Sequence, residues 1–372
     1  MREADSHLDG VVVLGAEINW TGSKADIVRP TIDWQAVKSS NSSCSIALRV
    51  APFSVSDRGS DARIQSVMFV AKSLLEDADK NQVRLQELQL DFDCAQKDLT
   101  SYRDWLPLIR AVTRSTRLVI TTLPSWLDEP AFAELIREVD GYVLQVHSVP
   151  MKNGTTMSLC DPKSAQAWVE EAARLHVPFS VALPTYRCSA GYNKSGKLLG
   201  VAMDSVQPVW PPNTRVLEFS ANPDDIATLV RRWQKSRPPE LKELLWYRIP
   251  VATDTRNWQW TTLTAVMAGR KPLHRLEVFQ NGENPIDFSI ANSGEADAEI
   301  DSVVTATWNG EKVVASDALP GWTLDVQNGR AVFTSTAEIR LPPGAKRQIG
   351  WLRYEQPVSV QVKLANKNET GR

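Results

Sequence analysis

The chain has 372 residues, 42% of them hydrophobic and 23% charged, which is too long for one small domain and enough to bury a sizeable core. Lys and Arg total 42 against 44 Asp and Glu, a formal net charge of −2, so nothing draws the chain to nucleic acid or to anionic membrane. No apolar run reaches the ~20 residues of a membrane span.

In chain order, strand-like runs fall at 10–19, 45–51, 85–93, 117–124, 141–148, 178–185, 215–220 and 244–251. Amphipathic stretches at helical spacing lie between several of them, at 64–75, 102–113, 130–139, 164–175 and 224–233. Asp161-Pro162 and Asn222-Pro223 fit helix starts with proline in the first turn. Repeated βα units imply a parallel sheet. About eight units in roughly 250 residues is the size of a (β/α)8 TIM-type barrel. A doubly wound open sheet is the alternative, but no glycine-rich phosphate fingerprint follows an early strand.

Residues 187–214 break the pattern with a hairpin signal at 191–197, a strand at 198–203 and a proline-rich loop at 208–213. They are expected as an insertion at the barrel mouth, a lid or a rim. Gly269-Arg270-Lys271-Pro272 reads as a linker. Beyond it, short strands separated by Asn309-Gly310 and Asn328-Gly329 read as a small all-β sandwich. The expected organisation is an α/β TIM-barrel domain over 1–270, a β-sandwich over 275–366 and a disordered tail over 367–372.

The run 88–94, Leu-Gln-Leu-Asp-Phe-Asp-Cys, carries the most chemical information. On a strand, Gln89, Asp91 and Asp93 share one face, and Leu88, Leu90 and Phe92 share the other. Charges at the C-terminal end of a buried strand are costly unless paired or used, and in α/β proteins that end is where sites are built. The same alternation puts Val12, Leu14, Ala16 and Ile18 opposite Glu17 and Asn19, and Leu245, Tyr247 and Ile249 opposite Trp246 and Arg248. Glu17, Arg49, Asp91, Asp93, His147, Tyr186, Trp246 and Arg248 are therefore expected to converge at one mouth, with Gln145 one step below His147. A one-residue slip in any strand reverses its face.

The four cysteines, Cys44, Cys94, Cys160 and Cys188, form no CxxC pair, which argues against zinc. They read as buried thiols, with one disulfide, Cys94 to Cys188, open if the protein is exported. Residues 1–10 are polar and lack an apolar signal region. The chain as it stands reads as cytoplasmic, or as exported or periplasmic if its start is truncated.

Leu90-Asp91-Phe92-Asp93-Cys94, Tyr102-Arg103-Asp104-Trp105-Leu106, Leu123-Pro124-Ser125-Trp126, Leu144-Gln145-Val146-His147, Ala182-Leu183-Pro184-Thr185-Tyr186 and Trp246-Tyr247-Arg248-Ile249-Pro250 occur in this order. The set resembles the bacterial domain-of-unknown-function 3142 family over roughly residues 10–265. The resemblance implies a glycoside-hydrolase type of TIM barrel, in which a strand ending in Asp-x-Asp is a catalytic position. In that family an aromatic strand and helix precede the segment matching 11–19. The resemblance therefore implies a barrel lacking its first strand, or a misplaced start, with 215–220 as a hairpin edge rather than a stave. The chitinase-like arrangement also has a Glu two residues after the second Asp, where this chain has Ala95.

Glycoside hydrolysis needs two carboxyl groups about 5–10 Å apart, and residues two apart on a strand stand roughly 6–7 Å apart. Asp91 and Asp93 are the expected catalytic pair, assisted by Glu17 or His147. Arg49, Trp126, Gln145, Tyr186, Trp246, Arg248 and Trp258 are expected to bind substrate, the aromatic ones by stacking on sugar faces. The competing reading pairs Asp91 and Asp93 with Arg49 and Arg248 in a structural network. Asp91, Asp93, Glu17 and His147 could instead hold a divalent metal, but no spacing motif supports it, and no metal or cofactor is expected. The expected partner is a poly- or oligosaccharide, acted on by a carbohydrate-active barrel or held by a non-catalytic glycan-binding or scaffold protein. The oligomeric state is left open.

Overall fold

The computed structural model describes residues 7–22, 24–53, 61–92, 94–113, 115–147, 158–202, 208–251, 253–337 and 339–367. Two compact units are present. One comprises Met1–Met203, Pro208–Ala221 and Lys235–Ile249, the other Asp204–Gln207, Asn222–Gln234 and Pro250–Arg372.

The first unit is α/β. Its strands are β1 (Gly10–Thr21), β2 (Lys24–Val28), β3 (Ser43–Val50), β4 (Leu85–Phe92), β5 (Arg117–Thr122), β6 (Gly141–Gln145), β7 (Phe179–Pro184), β8 (Arg187–Tyr192), β9 (Leu198–Ala202), β10 (Arg215–Ser220) and β11 (Leu241–Tyr247). Its helices are α1 (Trp34–Ser39), α2 (Ala62–Lys80), α3 (Leu99–Thr113), α4 (Pro130–Leu135) and α5 (Pro162–Ala173). The main sheet has eight strands in the order β11-β7-β6-β5-β4-β3-β1-β2. The β1–β2 pair is antiparallel, and every other neighbouring pair is parallel. Among the described residues, no pairing joins β2 to β11.

Residues 215–220 are not a stave of this sheet. As β10 they pair antiparallel with β8 in a separate three-stranded sheet, β10-β8-β9. The β8–β9 turn forms where the glycine signal lay, with Gly196 at φ +75 and the Asn193 side chain accepting from the Lys197 N–H at 2.8 Å.

Helices form where cap and stripe agree. Asp61 caps α2 by accepting from the Arg63 N–H at 2.9 Å, and Ile64, Val67, Val70, Ala71, Leu74 and Ala78 make its buried stripe. Asp161 caps α5, with Pro162 in its first turn. Behind the sheet, Phe92, Tyr102, Trp126, Phe132, Tyr142 and Phe179 form an unbroken series of rings, successive centroids 5.0, 6.4, 6.0, 5.5 and 5.5 Å apart. Each such ring contributes about 2–3 kcal/mol by burial, with a further ~1 kcal/mol for edge-to-face geometry.

The second unit contains α6 (Pro223–Lys235), α7 (Trp260–Met267) and the strands β12 (Leu276–Asn281), β13 (Ile286–Asn292), β14 (Ala298–Ile300), β15 (Ser302–Thr307), β16 (Val313–Ala318), β17 (Trp322–Gln327), β18 (Arg330–Ser335), β19 (Ile339–Leu341), β20 (Lys346–Tyr354) and β21 (Gln361–Asn366). Its antiparallel sheets are β12-β13-β20-β16, β17-β18-β15-β21 and β14-β19. Phe288, Ile290, Val304, Phe333, Ile349 and Leu352 build one shared core.

The stretch read as a linker, 269–272, is held in place. Gly269 takes φ +64, and its carbonyl accepts from Arg231 Nε at 2.7 Å. A side chain at Gly269 would meet the Arg231 Cα at 3.0 Å. Arg270 forks onto Glu295 at 2.6 and 2.9 Å, and Glu295 also accepts from the Leu273 N–H at 2.8 Å.

Candidate functional site

The parallel register aligns one row of polar residues near the C-terminal ends of the strands. Glu17 is level with Arg49, Arg49 with Asp91, and the Leu90–Ile120 pair brings Asp91 level with Thr121. Arg49 stands between two carboxylates, 3.4 Å from Glu17 and 4.0 Å from Asp91. Thr121 Oγ1 donates to Asp91 Oδ1 at 2.6 Å, and Gln145 Nε2 donates to the same oxygen at 3.4 Å. Below this row, Val119, Val143 and Ala182 pack with Leu245 as an apolar layer on the same face. The row itself is open to water, the Arg49 side chain being 47% exposed.

Glu17 reaches the row because β1 is bulged. The register shifts between Leu14 and Ala16, so Val12 and Leu14 fall on the Glu17 face and Ala16 and Ile18 on the helix face. Simple alternation had placed all four opposite Glu17. Gly15 sits at the bulge, where a side chain would stand 2.7 Å from Ile46 and 2.9 Å from Leu74.

An aromatic wall flanks the row. The His147 ring lies 5.8 Å from Tyr186, edge to face, and 6.1 Å from Tyr247, nearly parallel at 11°. Tyr186 and Tyr247 meet edge to face at 5.6 Å. His147 Nδ1 is 3.2 Å from the Ala182 carbonyl, which can only accept, so Nδ1 carries the proton and Nε2 is the acceptor. Burial pushes His147 down to about 4, against the opposing effect of that hydrogen bond. Burial raises the Tyr186 and Tyr247 hydroxyls. The charges of Arg49, Asp91, Arg248 and Glu17 all act on the Tyr247 hydroxyl.

Trp246 and Trp126 do not join the row. On β11, Leu245 and Tyr247 take the inner face, so alternation turns Trp246 to the other side, the one-residue reversal to which strands are prone. Arg248 follows Tyr247 across a cis peptide, its carbonyl accepting from Thr185 Oγ1, and its charge acts on Tyr186 and Tyr247. Trp126 is fully buried between Tyr102 and Phe132, a core position that no sugar reaches. Trp258 belongs to the second unit. Asp93 lies outside the described residues. All four cysteines are buried and outside any disulfide, so Cys94 and Cys188 are not bridged, and burial pushes the Cys44 thiol up to about 11.

Sequence reasoning missed two members of the site. Strict alternation from the sequence puts Tyr247 on the face opposite Trp246 and Arg248, away from the mouth. Thr121 carries no charge or ring to single it out, and only its place two residues beyond Val119 on the 117–124 strand points to the same face. Among the described residues, no group of three or more His, Cys, Asp or Glu could hold a metal ion, and no helix is long and apolar enough to cross a membrane.

A bracketed carboxylate and an aromatic wall at the ends of parallel strands define an α/β protein with an open polar site. The family profile described as Domain of unknown function (DUF3142) matches residues 58–252, more than half of the chain, and the chain belongs to that family. A second profile, Domain of unknown function (DUF8456), matches residues 277–355. No curated protein sequence matches the chain. Among solved structures, the chain is similar to the spore cortex-lytic enzyme SleL of Bacillus megaterium, at 9% identity and a TM-score of 0.49 over 73% of this chain and 68% of that one. It is similar to a chitinase from Chromobacterium violaceum, at 11% identity and a TM-score of 0.48 over 72% and 93%. A chitinase from Bacillus thuringiensis matches at 10% identity and a TM-score of 0.39 over 87% and 80%.

Proposed function

We propose that the chain is a carbohydrate-active protein whose site is the Glu17–Arg49–Asp91–Thr121–Gln145 row with its His147–Tyr186–Tyr247 wall. In this reading the first unit is a (β/α)8-type barrel, and the C-terminal strands are a sandwich that orients or binds the polysaccharide. The observation that carries it is the Asp91 carboxylate, bracketed by donors from Arg49, Thr121 and Gln145 on an open shelf beside three rings. Sugars offer hydroxyls to carboxylates, guanidinium and amide groups and flat C–H faces to rings. In glycosidic cleavage Asp91 and Asp93 are the acid/base or stabilising carboxylates, with Glu17 or His147 assisting.

A second reading, glycan binding without turnover, is favoured by Arg49, which compensates both described carboxylates as a binding network would. A panel of polysaccharides and aryl glycosides, read by reducing ends and thermal shift together, separates the two. Reducing ends abolished by Asp93→Asn establish a glycosidase. Thermal shift without product establishes a binding protein. Silence in both overturns the carbohydrate reading.

A further inference from the structure

We propose that Thr121 is a positioning residue that fixes the orientation of the Asp91 carboxylate and commits it to acting as an acceptor. The assignment of Asp91 to glycan chemistry rests on the function proposed above; the Thr121–Asp91 relation does not.

Among the described residues, the hydrogen bonds and ion pair of Asp91 are with donors or a cation. Oδ1 accepts from Thr121 at 2.6 Å and faces Gln145 Nε2 at 3.4 Å, and Oδ2 faces the Arg49 guanidinium at 4.0 Å. The Thr121 contact is the shortest, and it comes from a side chain held in place, since Thr121 is only 8% exposed. Charge-assisted O–H···O⁻ bonds of about 2.5–2.7 Å are the strong ones. A carboxyl group so engaged cannot deliver a proton along Oδ1 without first losing this bond. The bond leaves Oδ2, beside the Arg49 guanidinium, as the oxygen presented to a ligand.

The neighbouring residue provides a control within the same strand. Thr122 points to the other face, is fully buried and spends its hydroxyl on the Val143 carbonyl at 3.2 Å. Its bond serves the backbone. On the Thr121 face, the residue two positions earlier is Val119, packed with Val143 and Ala182. A valine at 121 would continue that apolar column with nearly the same shape. What the threonine adds is one hydroxyl, and that hydroxyl is on Asp91.

The test uses the full chain with 13C-carboxyl aspartate. The infrared difference spectrum against Asp91→Asn isolates the Asp91 carboxylate stretch. Thr121→Val is expected to shift this band, and Thr121→Ser to leave it in place. An unmoved band in Thr121→Val, or the same shift in Thr121→Ser, overturns the proposal. If Thr121→Val does not fold, Thr121→Ala gives the same reading, because it also removes the hydroxyl. With a glycan substrate or ligand in hand, Thr121→Val lowers kcat/KM or affinity about tenfold or more, and Thr121→Ser restores it. A band that shifts while the wild-type protein ignores every glycan upholds Thr121 and sinks the carbohydrate reading alone.

Discussion

The two faces of β4 meet opposite demands within eight residues. On the helix side, Leu88, Leu90 and Phe92 are at most 1% exposed, and Phe92 touches the rings of Tyr102 and Trp105 at 5.0 and 5.5 Å. On the inner side, Glu87, Gln89 and Asp91 form a polar column. Gln89 donates to Glu87 at 2.7 Å, burial raises the Glu87 carboxyl, and Asp91 sits at the open end among three donors. The outer face gains stability from dispersion and water release. The inner face must compensate every charge it carries, and gives up close packing for an open shelf.

Substitutions sharpen the contrast. Phe92→Ala on the outer face is expected to cost about 3–5 kcal/mol in urea unfolding, because the ring leaves a cavity among neighbours that cannot collapse into it. A loss below ~1 kcal/mol would mean that the ring series is not a rigid core. Gly15→Val should cost about 1–3 kcal/mol by forcing Ile46 and Leu74 aside, and should loosen Glu17 from the row. Unchanged stability would show that the bulge tolerates a side chain.

Acid probes His147. Its folded value, about 4, lies below the unfolded value near 6.5, so between these pH values the unfolded chain binds more protons than the folded one. Stability from this group is whole above pH 6.5 and falls as pH drops toward 4. The full shift corresponds to roughly 3 kcal/mol, and the partial exposure of the ring reduces it to about 2. The difference in unfolding free energy between pH 7 and pH 4 should therefore shrink by that amount in His147→Asn. An equal acid loss in protein and variant would remove His147 from the account. The smallest effect belongs to Glu17→Gln on the open row, below ~1 kcal/mol, since its partner Arg49 is half exposed and water screens the pair. A larger loss would mark the row as a structural network.

Much of this was legible in the residues themselves. Alternation puts Asp91 opposite Phe92, Asp161-Pro162 marks a helix start, and the charge at the end of the Asp91 strand is visible in the run itself. Local chemistry decides such features, because side-chain period and cap geometry are properties of a few consecutive residues. Three things could not be read. The Gly15 bulge and the β11 face depend on register, and one inserted residue reverses every assignment beyond it. The fate of each tryptophan was equally hidden. Trp126 follows a strand as a binding residue would, yet its ring joins the core because Tyr102 and Phe132 converge on it from two helices.

The alternating α/β elements, the strand-rich C-terminal region and the position of Asp91 at a strand end are written in the residues, since each follows from periodicity over short windows. Strand pairing, not the residues alone, sets Glu17, Arg49, Asp91 and Thr121 in one row and turns Tyr247 to face His147. It also decides that residues 215–220 leave the main sheet. These are relations between strands far apart in the chain, and they are fixed by register and by the packing of α2 and α3 against the sheet. No local pattern encodes them.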